Sequence, residues 1–222
     1  MSKKLFLEPH FGDIAWSCGG LVAQNKEASI IITIFPPRRK FYWLKFLGII
    51  YRKKKNEEKR FEKLFNLNII YLKFKSAFMR GRTLEGLFDK KLNAIEEEQV
   101  LELRKIINEL LLEENISEIY CPKAQRNQID HLIVKKAVLG LTPTNATIYY
   151  YEDFPNFLPE SKKIHSSKTQ TKVRIDISKV VEEKIQAVLI YESLISSYFT
   201  SKEVLVDLIR KTPYEYYWQD DD

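Results

Sequence analysis

The chain holds three histidines, and two of them have aspartate neighbours suited to metal chemistry. His10 is followed at i+3 by Asp13, and His131 is preceded by Asp130. Zinc that does chemistry typically takes three protein ligands from His and Asp/Glu and leaves a fourth position open to water. His10, Asp13 and His131 supply such a set if the fold brings residue 10 beside residue 131. Asp130 then either orients a ligating histidine or caps a helix. The spacing alone equally fits two loop histidines that bind nothing, because a short His/Asp pair is common. His165 lies among lysines and serines and reads as solvated. Cys18-Gly19-Gly20 lacks the spacing of a dinucleotide fingerprint, and no phosphate-loop Gly-Lys-Ser/Thr is present.

The elements that must position these residues follow from the apolar pattern. Leu5-Phe6-Leu7, closed by Pro9, reads as a buried strand, and Ile14 to about Asn25 as a helix with Gly19-Gly20 packed close to a sheet. Ser29 to Phe35 and Asn68 to Phe74 read as strands 2 and 3. Between them Phe41 to Asn66 looks largely helical, with a break near Gly48. A long helix with apolar residues from Leu92 to Leu111 precedes strand 4, Ser117 to Cys121. Asp130 to Leu139 is a helix and Thr147 to Tyr151 strand 5. An irregular segment from Pro155 to about Thr171 leads to a short extended piece, Val173 to Ile177. Val180 to Ser193 and Glu203 to Arg210 read as helices. The aromatic run Tyr214 to Trp218 reads as a tail packed onto the core. Strands alternating with helices imply an α/β fold: one doubly wound, mostly parallel, Rossmann-like sheet with a C-terminal elaboration, spanning residues 1–222 as a single domain. In that fold strands 1 and 4 lie side by side where the winding reverses, and ligands bind beyond their C-terminal ends. His10 follows strand 1 and His131 follows strand 4.

Composition excludes other classes. A chain of 222 residues with 45% hydrophobic and 30% charged residues buries a sizeable core, so intrinsic disorder is out. Its apolar runs are strand-length, so no membrane span is expected. A start with two lysines and little apolar sequence does not read as a signal peptide, and a cytoplasmic protein with Cys18 and Cys121 as buried thiols is expected. The net charge of +6 is dispersed, with basic clusters only at Pro36 to Lys40 and Tyr51 to Lys55. These read as solvated surface, which makes nucleic acid an unlikely partner.

Glu8-Pro-His-Phe-Gly-Asp-Ile-Ala-Trp-Ser-Cys-Gly-Gly20 resembles the first motif of the PIG-L/LmbE family of zinc-dependent N-deacetylases, Pro-His-x-Asp-Asp followed by Gly-Gly. Asn127-Gln-Ile-Asp-His-Leu-Ile-Val134 is similar to that family's second motif, His-x-Asp-His. Softer echoes are Ala77-Phe-Met-Arg-Gly81, Tyr150-Tyr-Glu-Asp-Phe-Pro155, Lys184 with Ala187 and Tyr191-Glu-Ser193, and Pro213-Tyr-Glu-Tyr-Tyr-Trp218. The resemblance implies Zn²⁺ on His10, Asp13 and His131. It also implies a small-molecule substrate, an N-acylated amino sugar or related amide. Arg80 and Asp153 become candidate substrate contacts, and Arg80 with Tyr151 to Asn156 is expected to line the cleft.

The departures bear on mechanism. The family's general base, the first Asp of Asp-Asp, is Gly12 here, and the first His of His-x-Asp-His is Gln128. Loss of a general base typically costs ~10²- to 10⁴-fold in rate. Glu8, Asp130 and Asp153 are the carboxylates that could stand in, Glu8 otherwise being a strand-end acid facing solvent or a lysine. Gln128 could donate to an oxyanion. Two functions are expected to compete: a hydrolase of weak or altered activity that Gly12→Asp should quicken, and a metal-binding pseudoenzyme acting as a binding or scaffold subunit.

Overall fold

A computed structural model of the chain describes residues 2–37, 45–142, 145–152 and 170–220, with residues 45–51 and 197 described as backbone only. Strands β1 (Lys3–Glu8), β2 (Ser29–Thr33), β3 (Ile69–Tyr71), β4 (Ile116–Pro122) and β5 (Thr147–Tyr151) are mutually parallel. Two more, β6 (Gln170–Asp176) and β7 (Tyr214–Asp220), complete a seven-stranded sheet in the order β3-β2-β1-β4-β5-β7-β6. The helices are α1 (Asp13–Gln24), α2 (Lys45–Phe65), α3 (Ala94–Glu113), α4 (Ile129–Leu139), α5 (Val181–Ile190), α6 (Glu192–Tyr198) and α7 (Lys202–Lys211). The expected α/β fold is observed, and β1 and β4 are neighbours with Phe6 opposite Tyr120.

Alternation along β1 sorts its side chains to two faces. Leu5 and Leu7 join Ile32, Ile119 and Cys121 in a core closed by α3 and α4. Phe6 joins Tyr120, Tyr151 and Tyr217 in a second core, closed by α1, α2 and α5 to α7. Burial on both faces is what a parallel sheet requires, and it explains the unbroken apolar runs. Both cysteines are buried thiols outside any disulfide. Among the described residues no helix is long and apolar enough to cross a membrane.

Three expectations need correction. The aromatic run at 214–218 belongs to β7, which pairs antiparallel with β5 (Tyr150 opposite Trp218) and with β6 over its whole length. Helix α2 runs through Gly48 without a break, and its first expected residues, 41–44, lie outside the described residues. The single helix expected over 180–193 is two, parted at Tyr191 (φ −90°, ψ 61°), whose hydroxyl donates to Glu58 Oε2 at 2.8 Å.

Strand β7 also reaches into α1. Glu215 accepts from the Gly20 and Leu21 amides at 2.8 and 2.9 Å, and Lys184 of α5 donates to the Trp16 carbonyl at 2.6 Å and to Glu215 at 2.7 Å. Both side chains are buried, so the ion pair is satisfied by helix backbone as well as by itself. The Gly19-Gly20 step makes the approach possible: a Cβ on Gly20 would lie 2.6 Å from Ile177 Cδ1, and one on Gly19 3.2 Å from Lys184 Cδ. Gly20→Ala sets a helix-propensity gain of up to ~1 kcal/mol against an overpacking cost of ~1–3 kcal/mol. A net loss of about 1–2 kcal/mol is expected, read as a lowered urea midpoint.

Candidate metal centre

The loop leaving β1 is built around Glu8. This carboxylate has no exposed surface. One oxygen accepts from the Gly12 and Ile14 amides at 3.1 and 3.3 Å, and the other accepts from Thr33 Oγ1 at 2.7 Å. Glu8 thus holds the N-terminal turn of α1, where unpaired amides favour negative charge. It faces neither solvent nor a lysine, and with both oxygens engaged it positions the turn. Burial, reinforced by the charge of Glu58, raises its pKa well above the usual carboxylate range.

The turn closes on itself through Asp13. The His10 amide donates to Asp13 Oδ2 at 2.8 Å, and the Asp13 amide donates to the His10 carbonyl at 3.1 Å. Gly12 between them takes φ +97°, the left-handed region that glycine enters without strain. Across the switch point, Ala124 and Asn127 carry positive φ in the loop after β4, and Gln128 caps α4 by accepting from the His131 amide at 2.9 Å.

His10 Nδ1 lies 3.6 Å and His131 Nε2 3.5 Å from Asp13 Oδ2. One ligand atom from each of His10, Asp13 and His131 falls within 4.8 Å of the others, so two imidazoles and a carboxylate converge as a divalent metal requires. His10 Nε2 is bonded to Asp130 Oδ2 at 2.9 Å, which leaves Nδ1 turned to the cluster. A carboxylate bonded to the far nitrogen of a ligating histidine sets its tautomer and ring angle.

Asp130 is itself pinned by the segment after β3. Arg80 donates to its Oδ1 at 2.7 Å and the Ala77 amide to its Oδ2 at 3.1 Å. Arg80 also reaches Glu96 at 3.3 Å and Gln99 at 3.0 Å, and its side chain has no exposed surface. The Arg80 guanidinium thus sits behind Asp130, held by Asp130, Glu96 and Gln99. Both carboxylate oxygens of Asp130 are thus engaged, Oδ1 by Arg80 and Oδ2 by His10 and Ala77. Tyr151 is buried, with its hydroxyl on the Leu7 carbonyl at 2.8 Å, and Glu152 is buried against Trp218. Asp153, with the rest of the expected cleft segment, lies outside the described residues, as do Arg38, Arg39, Lys40 and His165.

The charges suit a cation. Burial disfavours a proton on His10, but bonds to Asp13 and Asp130 outweigh it and push its pKa up to about 10. For Asp13, burial is outweighed by the charge of His131 and the bond from His10, and its pKa falls below the usual carboxylate value. Near neutral pH the metal-free cluster therefore carries a proton on His10 that a metal must displace, and metal affinity should rise with pH towards 10. Asp130→Asn removes the charge that orients His10. A 10- to 100-fold loss of metal affinity is expected, the usual effect of changing such a supporting group, measured by competition with a chromogenic chelator.

Two acids that sequence reasoning missed stand behind Gly12. Glu57 and Glu58 of α2 are buried, Glu57 accepting from the Ser193 amide at 3.1 Å and its hydroxyl at 2.7 Å, Glu58 from Tyr191. They share a helix face with Phe61 and Phe65, which are also buried. Their i, i+1, i+4, i+8 spacing, one stripe of a helix, was the available signal. Burial pushes the Glu58 pKa up to about 7.

No protein-family model matches the chain. It is similar to the 2'-N-acetylparomamine deacetylase of Streptomyces fradiae, 27% identical over 210 residues, covering 86% of this chain and 73% of that one. Its fold matches the zinc-inhibited form of teicoplanin deacetylase Orf2 with a TM-score of 0.76 over 100% of both chains at 17% identity. The A40926 pseudoaglycone deacetylase Dbv21 matches with a TM-score of 0.67 at 16% identity, over 98% of this chain and 96% of that one. The resemblance to the PIG-L/LmbE deacetylases, carried by two short motifs, thus extends to the whole fold.

Proposed function

We propose that the chain is a zinc-dependent N-deacetylase of the PIG-L/LmbE type, acting on an N-acylated amino sugar or related small-molecule amide. The observation that carries the reading is the convergence of His10, Asp13 and His131 at the β1/β4 switch point of a fold shared with deacetylases. A bound divalent metal there acidifies water and polarises an amide carbonyl. The protein's own residues set the rest. Asp130, steadied by Arg80, fixes His10, and Glu8 fixes the turn that presents Asp13. Gln128 spends its carbonyl oxygen on the His131 amide, which leaves its NH₂ group to donate to an oxyanion.

The proton acceptor is the altered part. Gly12 carries no carboxylate, and the oxygens of Glu8 and Asp130 are committed. We assign proton acceptance and a substrate contact to Asp153, the second residue past β5 in a sheet whose ligands bind at strand C-termini. Two buried thiols outside any disulfide agree with a cytoplasmic location. One observation favours the alternative, a metal-binding pseudoenzyme: Tyr191 and Leu194 occupy the space beside Gly12 where a side chain would project.

Acetate release from a panel of N-acetylated amino sugars separates the two. Protein prepared without chelator should release acetate, lose that activity with chelator and regain it with zinc. Full metal content with no release from any panel member would support the pseudoenzyme.

A further inference from the structure

A cavity of about 280 Å³ lies at the C-terminal ends of β1 to β3, on the side of the residue that follows His10. Phe11, the residue after His10, forms one wall and meets Tyr71 edge-on at 5.9 Å between ring centroids. Pro36 and Pro37 form another wall, next to Phe35, whose ring centroid is 6.1 Å from that of His10. These residues and Leu72 make an apolar floor at the C-terminal ends of β1 to β3. The rim is cationic. Lys55 and Lys59 of α2 and Lys73 after β3 line the opening with exposed side chains, and none has an ion-pair partner among the described residues.

We propose that this cavity is the subsite for the part of the substrate beyond the amide, and that it takes an aglycone bearing an anionic phosphate or carboxylate group. The inference rests on the deacetylase reading and adds the chemical class of the conjugate. An apolar floor binds the body of a ligand, and a few charged groups at its edge select its end. Three uncompensated lysines around one opening concentrate anions and repel ammonium groups. Glu58 also lines the cavity, but it is 1% exposed and accepts from the Tyr191 hydroxyl at 2.8 Å. With its pKa raised by burial to about 7, it offsets less than one of the three positive charges near neutrality. Glu62 stands at the far side of Tyr71, 3.5 Å from its hydroxyl, and lies outside the cavity wall.

Calorimetric titration of the full chain with three probes tests this. The probes are N-acetylglucosamine 1-phosphate, the carboxymethyl glycoside of N-acetylglucosamine and its neutral methyl glycoside. At low salt at least one anionic probe should bind about tenfold tighter than the neutral one, within what a few exposed ion pairs supply. High salt should shrink that advantage, and the triple variant Lys55→Met, Lys59→Met, Lys73→Met should lose it while keeping its affinity for the neutral probe. Preference for one anionic probe over the other assigns phosphate or carboxylate as the source. Equal affinity for all three probes, no binding of any, or an advantage that survives the triple variant would overturn the proposal. Binding needs no turnover, so inactivity on every amide leaves this test intact. Acetate release with no anion preference removes the subsite and leaves the reaction.

Discussion

Replacing His131 with alanine is expected to reduce acetate release by about 10³-fold or more. A metal ion contributes several kcal/mol of charge stabilisation in the transition state, and each 1.4 kcal/mol is a factor of ten. His131 supplies one of the three ligand atoms that converge among the described residues, from the first turn of a helix whose cap, Gln128, holds its backbone. His131 is 7% exposed and the neighbouring Asp130 is anchored independently, so the truncation should empty the metal site without unfolding α4. Circular dichroism and a thermal melt check the fold, and the rate is measured with zinc in excess. A rate within tenfold of the wild type would mean that the chemistry lies elsewhere.

Gly12→Asp is expected to destabilise the protein and bring no gain in rate, the reverse of what the motif comparison suggests. At φ +97° a non-glycine residue costs about 1–2 kcal/mol. Its Cβ would stand 3.0 and 3.1 Å from the Tyr191 ring and 3.2 Å from Leu194 Cδ1, and overpacking of that kind costs about 1–3 kcal/mol. A carboxylate there also meets the like charge of Asp13 in a poorly solvated place. The total, about 2–5 kcal/mol, is a large part of a stability that is typically ~5–15 kcal/mol. Gly12→Ala separates strain from charge, because it carries the first two costs without the third. An unchanged urea midpoint with a rate raised ~10²-fold would restore the lost-base account and show that Tyr191 yields.

The switch-point geometry was legible because a parallel sheet writes its order into the alternation of strand and helix. Once β1 and β4 are neighbours, residues 10 and 131 must approach. The supporting residues were harder to read for a common physical reason. Glu8, Arg80, Glu58 and Glu215 are charged residues that the fold buries, and sequence gives a charged residue no mark of burial unless it shares a periodic stripe. Glu58 does share one, with Phe61. Glu8 does not, and only the amides of Gly12 and Ile14 reveal its task. Strand β7 was hidden differently. Tyr214 to Trp218 lacks the alternation of a half-buried strand, and its pairing with β5 and β6 links residues far apart in the chain. The echoes at Lys184 and Glu215 prove to be one device, the ion pair set against α1.

The central claim is that His10, Asp13 and His131 hold one divalent metal. Its most direct test is elemental analysis of wild type and of Asp13→Ala, both prepared without chelator and dialysed against zinc. The account predicts one zinc per chain in the wild type and a small fraction of that in Asp13→Ala, whose loss takes away the carboxylate that both histidines face. Equal zinc in the two proteins, or none in a correctly folded wild type, would contradict it.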